Sequence, residues 1–124
     1  MARGKHLKQE ISDLLDELDN ELDSNDDVRR LGYSLTALAA ALTVYAFKSA
    51  KSRLGLSDVL SQIMGQTKRR TEKEKLGSLA ESAEALEDLA EQLSYDDLTD
   101  DELWEANELR EQLSEGLREW WEKQ

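Results

Sequence analysis

Proline and cysteine are missing from this 124-residue sequence, and glycine and aromatic residues are few. Without proline the chain lacks the strongest helix breaker, and its abundant residues, among them Leu, Ala, Glu and Lys, favour helices. β-branched residues are scarce, so strands are not expected. Without cysteine there is no disulfide, no thiolate metal site and no cysteine nucleophile. The composition therefore predicts an all-α protein of one small domain.

Recognisable catalytic and metal-binding motifs are missing as well. There is no phosphate-binding loop, no Gly-rich dinucleotide motif and no nucleophile motif. The single histidine, His6, has only Glu10 at helical spacing, which is far short of a metal site. The segment DSNDDV (23–28) starts like a calcium loop, but Val28 stands where that loop needs glycine. We therefore expect a protein that is not an enzyme and that uses no metal or cofactor.

The charges are unevenly distributed along the chain. The formal net charge is −12, which argues against nucleic acid as a partner because phosphates are repelled. Residues 1–9 carry +3, residues 10–27 carry −9, residues 28–75 carry +7 and residues 76–124 carry −13. The basic N-terminus has no apolar core, so no cleavable signal peptide is expected. The location stays open between the cytoplasm and a membrane.

The pattern of apolar residues divides the chain into four parts. Leu and Ile recur at steps of three and four on both sides of a neutral middle stretch, which indicates amphipathic helices. We expect an all-α, elongated helical bundle with a long uncharged central helix and an acidic C-terminal αα-hairpin. The parts are an amphipathic N-terminal helix (1–24), the uncharged central helix (25–55), a short helix with a basic linker (56–76) and the acidic hairpin (77–124).

Local signals predict where the central helix begins and ends. Ser24 or Asn25 is expected to cap its N-terminus, because short polar side chains accept hydrogen bonds from free backbone N–H groups. The helix is expected to run to Leu54, with Gly55 as the left-handed residue after its end.

Two capping boxes are expected to start the helices of the acidic hairpin. Ser78 with Glu81, and Thr99 with Glu102, have the spacing of a polar N-cap and an acid three residues later. The preceding segment QTKRRTEKEK (66–75) is charged all round, and it is either an exposed helical extension or a hinge.

The stretch from Leu31 to Phe47 carries no charge, and two apolar stripes and a face of small residues coexist on it. This pattern predicts a helix shielded from water on nearly all sides, in protein or in lipid. Seventeen residues span roughly 26 Å, against about 30 Å for a bilayer core, while basic residues within 29–53 suit lipid headgroups. Both a buried helix and a membrane contact therefore stay open. The stripes are Leu31, Leu35, Leu38, Leu42 and Tyr45, and Tyr33, Ala37, Ala40, Val44 and Phe47.

Three groups of residues are candidates for contact with a partner, which is expected to be a second copy or another helical protein. The first is an oligomer or helix-packing interface formed by small residues and neighbouring leucines. The second is a basic cluster, which is either a solvated face paired with acids or a phosphate contact. The third is a set of tryptophans, which either cover a core or anchor a partner. The groups are Gly32, Thr36, Ala39, Thr43, Leu35, Leu38 and Leu42; Lys68, Arg69, Arg70, Lys73 and Lys75; and Trp104, Trp120 and Trp121.

The chain has more apolar stripes than a protein of this length easily buries, which favours self-association or a stable partner. We expect a non-catalytic helical assembly or interaction protein, a self-associating subunit of a larger complex or of a viral particle. The sequence leaves two alternatives open. One is a single-span membrane protein with acidic arms, and the other is an acidic inhibitor that mimics nucleic acid.

Overall fold

The computed structural model describes residues 2–48 and 54–124, with side chains from His6 onward in those ranges. This described part of the chain is helical and contains no strand, which confirms the all-α prediction. The sequence favours this outcome because it has no proline and its leucines recur at helical spacing. The helices are α1 (Ala2–Glu17), α2 (Asn25–Phe47), α3 (Leu56–Gln66), α4 (Arg70–Gln92) and α5 (Asp100–Glu122).

Helix α2 begins where the sequence predicts but ends early. Ser24 is its N-cap, and the Ser24 hydroxyl accepts a hydrogen bond from the Asp27 N–H at 3.3 Å. The predicted end at Leu54 is wrong, because Lys48 already adopts the left-handed conformation with φ 53°. Gly55 has φ −73° and stands at the N-cap of α3 instead of ending α2. Lys48, the first charged residue after the neutral stretch, is exposed, so extending the helix through it would gain little from packing.

The start of α4 also differs from the prediction. The helix begins at Arg70, so Ser78 and Glu81 lie inside it and do not form its capping box. Burial explains the earlier start, since Leu76 is fully covered and only a helical Leu76 continues the stripe of Leu79. The segment 66–75 is therefore a helical extension from Arg70 onward. The capping box of Thr99 and Glu102 at the start of α5 is confirmed.

The core lies where the apolar stripes of the helices meet. Helix α3 packs against α4, α4 packs against α5, α1 packs against α2, and α2 also contacts α3, α4 and α5. Removing a fully buried Leu side chain from such a core costs about 2–5 kcal/mol. The largest fully buried side chains include Ile11, Leu18, Leu35, Leu38, Leu42, Leu56, Leu60, Leu76, Leu86, Leu113 and Leu117.

Polar side chains of α5 bind carbonyl groups at the end of α1. The last carbonyls of a helix have no partner inside the helix. The buried Arg110 donates from Nη1 to the Leu18 carbonyl at 2.7 Å. Arg118 donates from Nη2 to the Leu15 carbonyl at 3.3 Å and to the Asp19 carboxylate at 2.7 Å. These bonds fix the end of α1 and the turn that follows it against α5.

A carboxylate of α4 caps the N-terminus of α3. Glu87 accepts from the Leu56 N–H at 3.2 Å and from the Ser57 N–H at 3.1 Å. A negative charge is favourable there, because the N-terminus of a helix carries partial positive charge and unpaired N–H groups. Glu87 thus supplies the cap that Gly55, which has no side chain, cannot provide.

Candidate interaction surface

Most of the predicted oligomer or helix-packing residues are buried within the protein. They are buried because α2 packs its leucine stripe and part of its small-residue face against α1, α3 and α4. Gly32 is half-buried, and a Cβ added to it would lie 3.4 Å from the Ala90 Cβ on α4. Thr36 is exposed. The other five are buried and offer no free surface to a second copy: Leu35, Leu38, Ala39, Leu42 and Thr43.

Four of the five residues of the second apolar stripe of α2 face water, whereas the fifth, Phe47, is half-buried against the core. Tyr33 is 72% exposed and Val44 is 37% exposed. Ala37 and Ala40 between them are exposed too. These four residues, called the exposed α2 face below, form one line because their spacing of four, three and four residues follows the helical repeat. The expectation that the neutral stretch is shielded on nearly all sides is therefore wrong, because this one side is open.

The exposed α2 face has little hydrogen-bonding capacity of its own. Thr36, which borders it, donates its hydroxyl to the Gly32 carbonyl at 3.0 Å, so this group is already satisfied inside the helix. No charged residue lies between Arg30 and Lys48. A surface of this kind can gain free energy by covering apolar area but has few groups with which to orient a polar ligand.

A shallow groove adjoins the exposed α2 face on the side of α4. Its volume is about 430 Å³. The lining includes Tyr33 and Thr36 of α2, and Glu87, Ala90 and Glu91 of α4. Arg29, Leu35, Leu93 and Ser94 also line it, so apolar, polar, acidic and basic side chains are mixed in this groove. The groove widens the surface next to Tyr33.

The three tryptophans have three different environments. Trp120 is 4% exposed and belongs to the core, and its indole N–H has no hydrogen-bond partner among the described residues. Trp121 is half-buried, with its ring centroid 4.9 Å from that of Tyr45 in an edge-on contact. Trp104 is 66% exposed on α5. Of the predicted anchors, Trp104 has the exposure needed to contact a partner, whereas Trp120 and Trp121 pack inside the chain.

The predicted basic cluster straddles the turn from α3 to α4. Two of its cations are paired, Lys75 with Glu119 of α5 and Arg70 with Glu74 at 3.3 Å. The hydrogen bond and the charge of Lys75 lower the pKa of Glu119. A cleft of about 580 Å³ beside these residues is lined by both bases and acids. The cluster therefore does not concentrate its positive charge in one concave site. Its remaining members, Lys68, Arg69 and Lys73, are exposed.

Two other kinds of feature, a metal site and a membrane span, are not found among the described residues. In residues 2–48 and 54–124, no three His, Cys, Asp or Glu side chains converge as metal ligands would. None of the helices described for this chain combines the length and the apolar character that crossing a bilayer requires. The basic residues Lys51 and Arg53, expected to flank such a span, lie outside the described residues.

The sequence pattern identified the exposed α2 face as part of an apolar stripe. It did not predict which of the two stripes of α2 would be exposed to solvent. Both stripes of α2 have the spacing of an apolar helix face. The signal that separates them is volume: the buried stripe has four leucines, whereas two of the residues in the exposed α2 face are alanines. A core buries the larger apolar area first, because the free energy gained grows with that area.

Comparisons with known proteins found no match for this chain. No protein-family model matches the chain, no curated protein matches it, and no solved structure matches it. The proposals below therefore rest on the residues of this chain.

Proposed function

We propose that the protein is a non-catalytic helical assembly subunit, and that copies of it associate through the exposed α2 face. One observation carries the proposal. A continuous apolar line, from Tyr33 through Ala37 and Ala40 to Val44, lies in water on a helix whose opposite side is fully packed. Covering such a line gains about 25 cal/mol for each Å² of apolar surface removed from water.

In the proposed architecture, α2 is the central helix of an elongated bundle, and α4 and α5 form the acidic hairpin. The contact of Lys75, near the start of α4, with Glu119, near the end of α5, supports antiparallel helices. The acidic hairpin keeps most of the surface strongly negative, which opposes unspecific clustering. The exposed α2 face, which carries no charge, is then the part of the surface where two copies approach each other with the least electrostatic repulsion.

Sedimentation of the full chain over a range of concentrations tests this function. We expect the weight-average mass of the natural protein to rise with concentration. Tyr33→Glu should abolish the rise, because each copy would bring an unpaired carboxylate into the contact. Tyr95→Glu is the matched control, since Tyr95 is 84% exposed but lies outside α2, in the segment between α4 and α5.

Two results would contradict the proposed function. One is a natural protein that remains monomeric at every concentration. The other is an equal effect of Tyr33→Glu and Tyr95→Glu on the weight-average mass. That result would mean that the copies do not associate through the exposed α2 face, or that added negative charge by itself opposes association. Circular dichroism of both variants checks that they remain helical, as expected for substitutions at exposed positions.

A further inference from the structure

We infer that the occupant of the exposed α2 face is α2 of a second copy, packed antiparallel around a twofold axis that passes level with the Leu38–Ala39 peptide. The inference rests on the proposed function and adds its geometry. Along the exposed α2 face the order of side-chain sizes is the same in both directions. A larger residue, two alanines and a larger residue follow each other at spacings of four, three and four. Reversing the helix therefore places Tyr33 beside Val44 of the second copy and Ala37 beside Ala40 of the second copy.

The sizes of these side chains favour the antiparallel arrangement over a parallel one. In the antiparallel pair, each end of the contact holds one Tyr33 and one Val44, so the helix axes stay equally far apart along the contact. The alanines at the centre permit the small interaxial distances found for small contact residues. In a parallel pair both Tyr33 rings would meet at one end and both Val44 side chains at the other, which splays the helices. Antiparallel helix dipoles also attract each other.

Charge argues for α2 as the occupant over the other helices of a second copy. The exposed sides of α4 and α5 carry many carboxylates, among them Glu84, Asp88, Glu108 and Glu115. Covering an apolar line with these groups would strip them of water without giving them partners. The exposed α2 face has no charge between Arg30 and Lys48. The reversed pairing places Lys48 level with Arg29 of the second copy, where the Arg29 charge is already paired with Asp26 at 2.8 Å.

The size of the contact predicts how strong it is. One helix face buries much less than the roughly 800 Å² per partner of a standard stable interface. The pair should therefore be a weak, reversible dimer. The groove beside Tyr33 and Thr36 adds further area at both ends of the contact, because the twofold axis repeats it.

Cysteine cross-linking tests the geometry directly, since the chain has no cysteine of its own. Ala37→Cys and Ala40→Cys each place one thiol on the exposed α2 face. The two full-length variants, one of them isotopically labelled, are mixed under mild oxidation and the disulfide-linked dimers are resolved by mass. An antiparallel pair should give the mixed 37–40 dimer in several-fold excess over its statistical share. Gly65→Cys, at an exposed position with open space around it on α3, measures cross-linking by random collision.

The other outcomes separate the inference from the proposed function. An excess of 37–37 and 40–40 dimers would mean parallel helices, which overturns the inference and leaves association through α2 standing. Cross-linking no faster than that of Gly65→Cys, together with a dimer in sedimentation, would place the contact elsewhere and overturn the α2 interface. The same slow cross-linking with a monomer in sedimentation would overturn the proposed function itself.

Discussion

Asn107 of α5 binds the backbone of Leu22 through both halves of its side-chain amide. Its Oδ1 accepts from the Leu22 N–H at 2.8 Å, and its Nδ2 donates to the Leu22 carbonyl at 2.8 Å. The same Oδ1 accepts from Nε of the buried Arg110 at 3.3 Å. Leu22 is itself 4% exposed, so water does not easily replace Asn107 at this peptide. The pair thus joins the turn before α2 to the last helix of the chain.

Replacing Asn107 with Ala should destabilise the fold by about 2–4 kcal/mol. The substitution leaves the part-buried N–H and carbonyl of Leu22 without the Asn107 partner, and such a group costs about 1–3 kcal/mol when it is left unsatisfied. Urea unfolding followed by circular dichroism measures the change. Asn20→Ala is the matched control, because Asn20 is exposed and its side-chain amide donates a long hydrogen bond to the Glu17 carboxylate, at 3.4 Å. Equal unfolding midpoints for the two variants would mean that the Leu22 contact contributes nothing.

Gly116→Ala should lower the melting temperature, although alanine favours helices. A Cβ at Gly116 would overlap Cδ2 of the buried Leu79 and lie 3.2 Å from its Cγ, so either the Leu79 side chain would have to move within the core or α4 and α5 would have to separate. Such overpacking costs about 1–3 kcal/mol, against about 1 kcal/mol gained from helix propensity. Gly65→Ala is the control, since a Cβ there meets nothing within 4 Å. Thermal melts should move in opposite directions, and a rise for Gly116→Ala would contradict the close approach of the two helices.

The capping box of α5 should make stability depend on pH in the acidic range. The Thr99 N–H donates to the Glu102 carboxylate at 2.9 Å and is the largest cause of the lowered Glu102 pKa. A carboxylate with a lowered pKa stabilises the fold fully above its ordinary value of 4.5, and this stabilisation is lost as the pH falls below that value. Carbon NMR of the Glu102 carboxyl should therefore show a midpoint below 4.5 in the folded chain.

Two comparisons check that this shift belongs to the folded capping box. In the urea-unfolded chain the Glu102 midpoint should return toward the ordinary value. Glu102→Gln keeps an acceptor at every pH, so the natural protein should lose stability relative to this variant as the medium becomes more acidic. A difference between them that is the same at neutral and acidic pH would contradict the lowered pKa.

Local sequence signals predicted the features that depend on a few neighbouring residues. Ser24 caps α2, and Thr99 with Glu102 caps α5, because each of these motifs closes its hydrogen bonds within one helical turn. Ser78 with Glu81 has the same local spacing, yet it lies inside α4. There the packing of Leu76 in the core outweighs a cap worth about 1 kcal/mol.

The sequence by itself determined that the chain is helical, since it lacks proline and repeats leucine at steps of three and four, and it located the neutral stretch of α2. The tertiary structure decided which stripe of that stretch is buried. Leu31, Leu35, Leu38 and Leu42 remove more apolar area from water than a stripe with Ala37 and Ala40, so the packed helices cover the leucines first. Contacts between residues far apart in the sequence, such as Asn107 with Leu22 and Glu87 with Leu56, likewise depend on how the helices pack against each other. A local sequence pattern does not predict this packing, because it contains no information about distant residues.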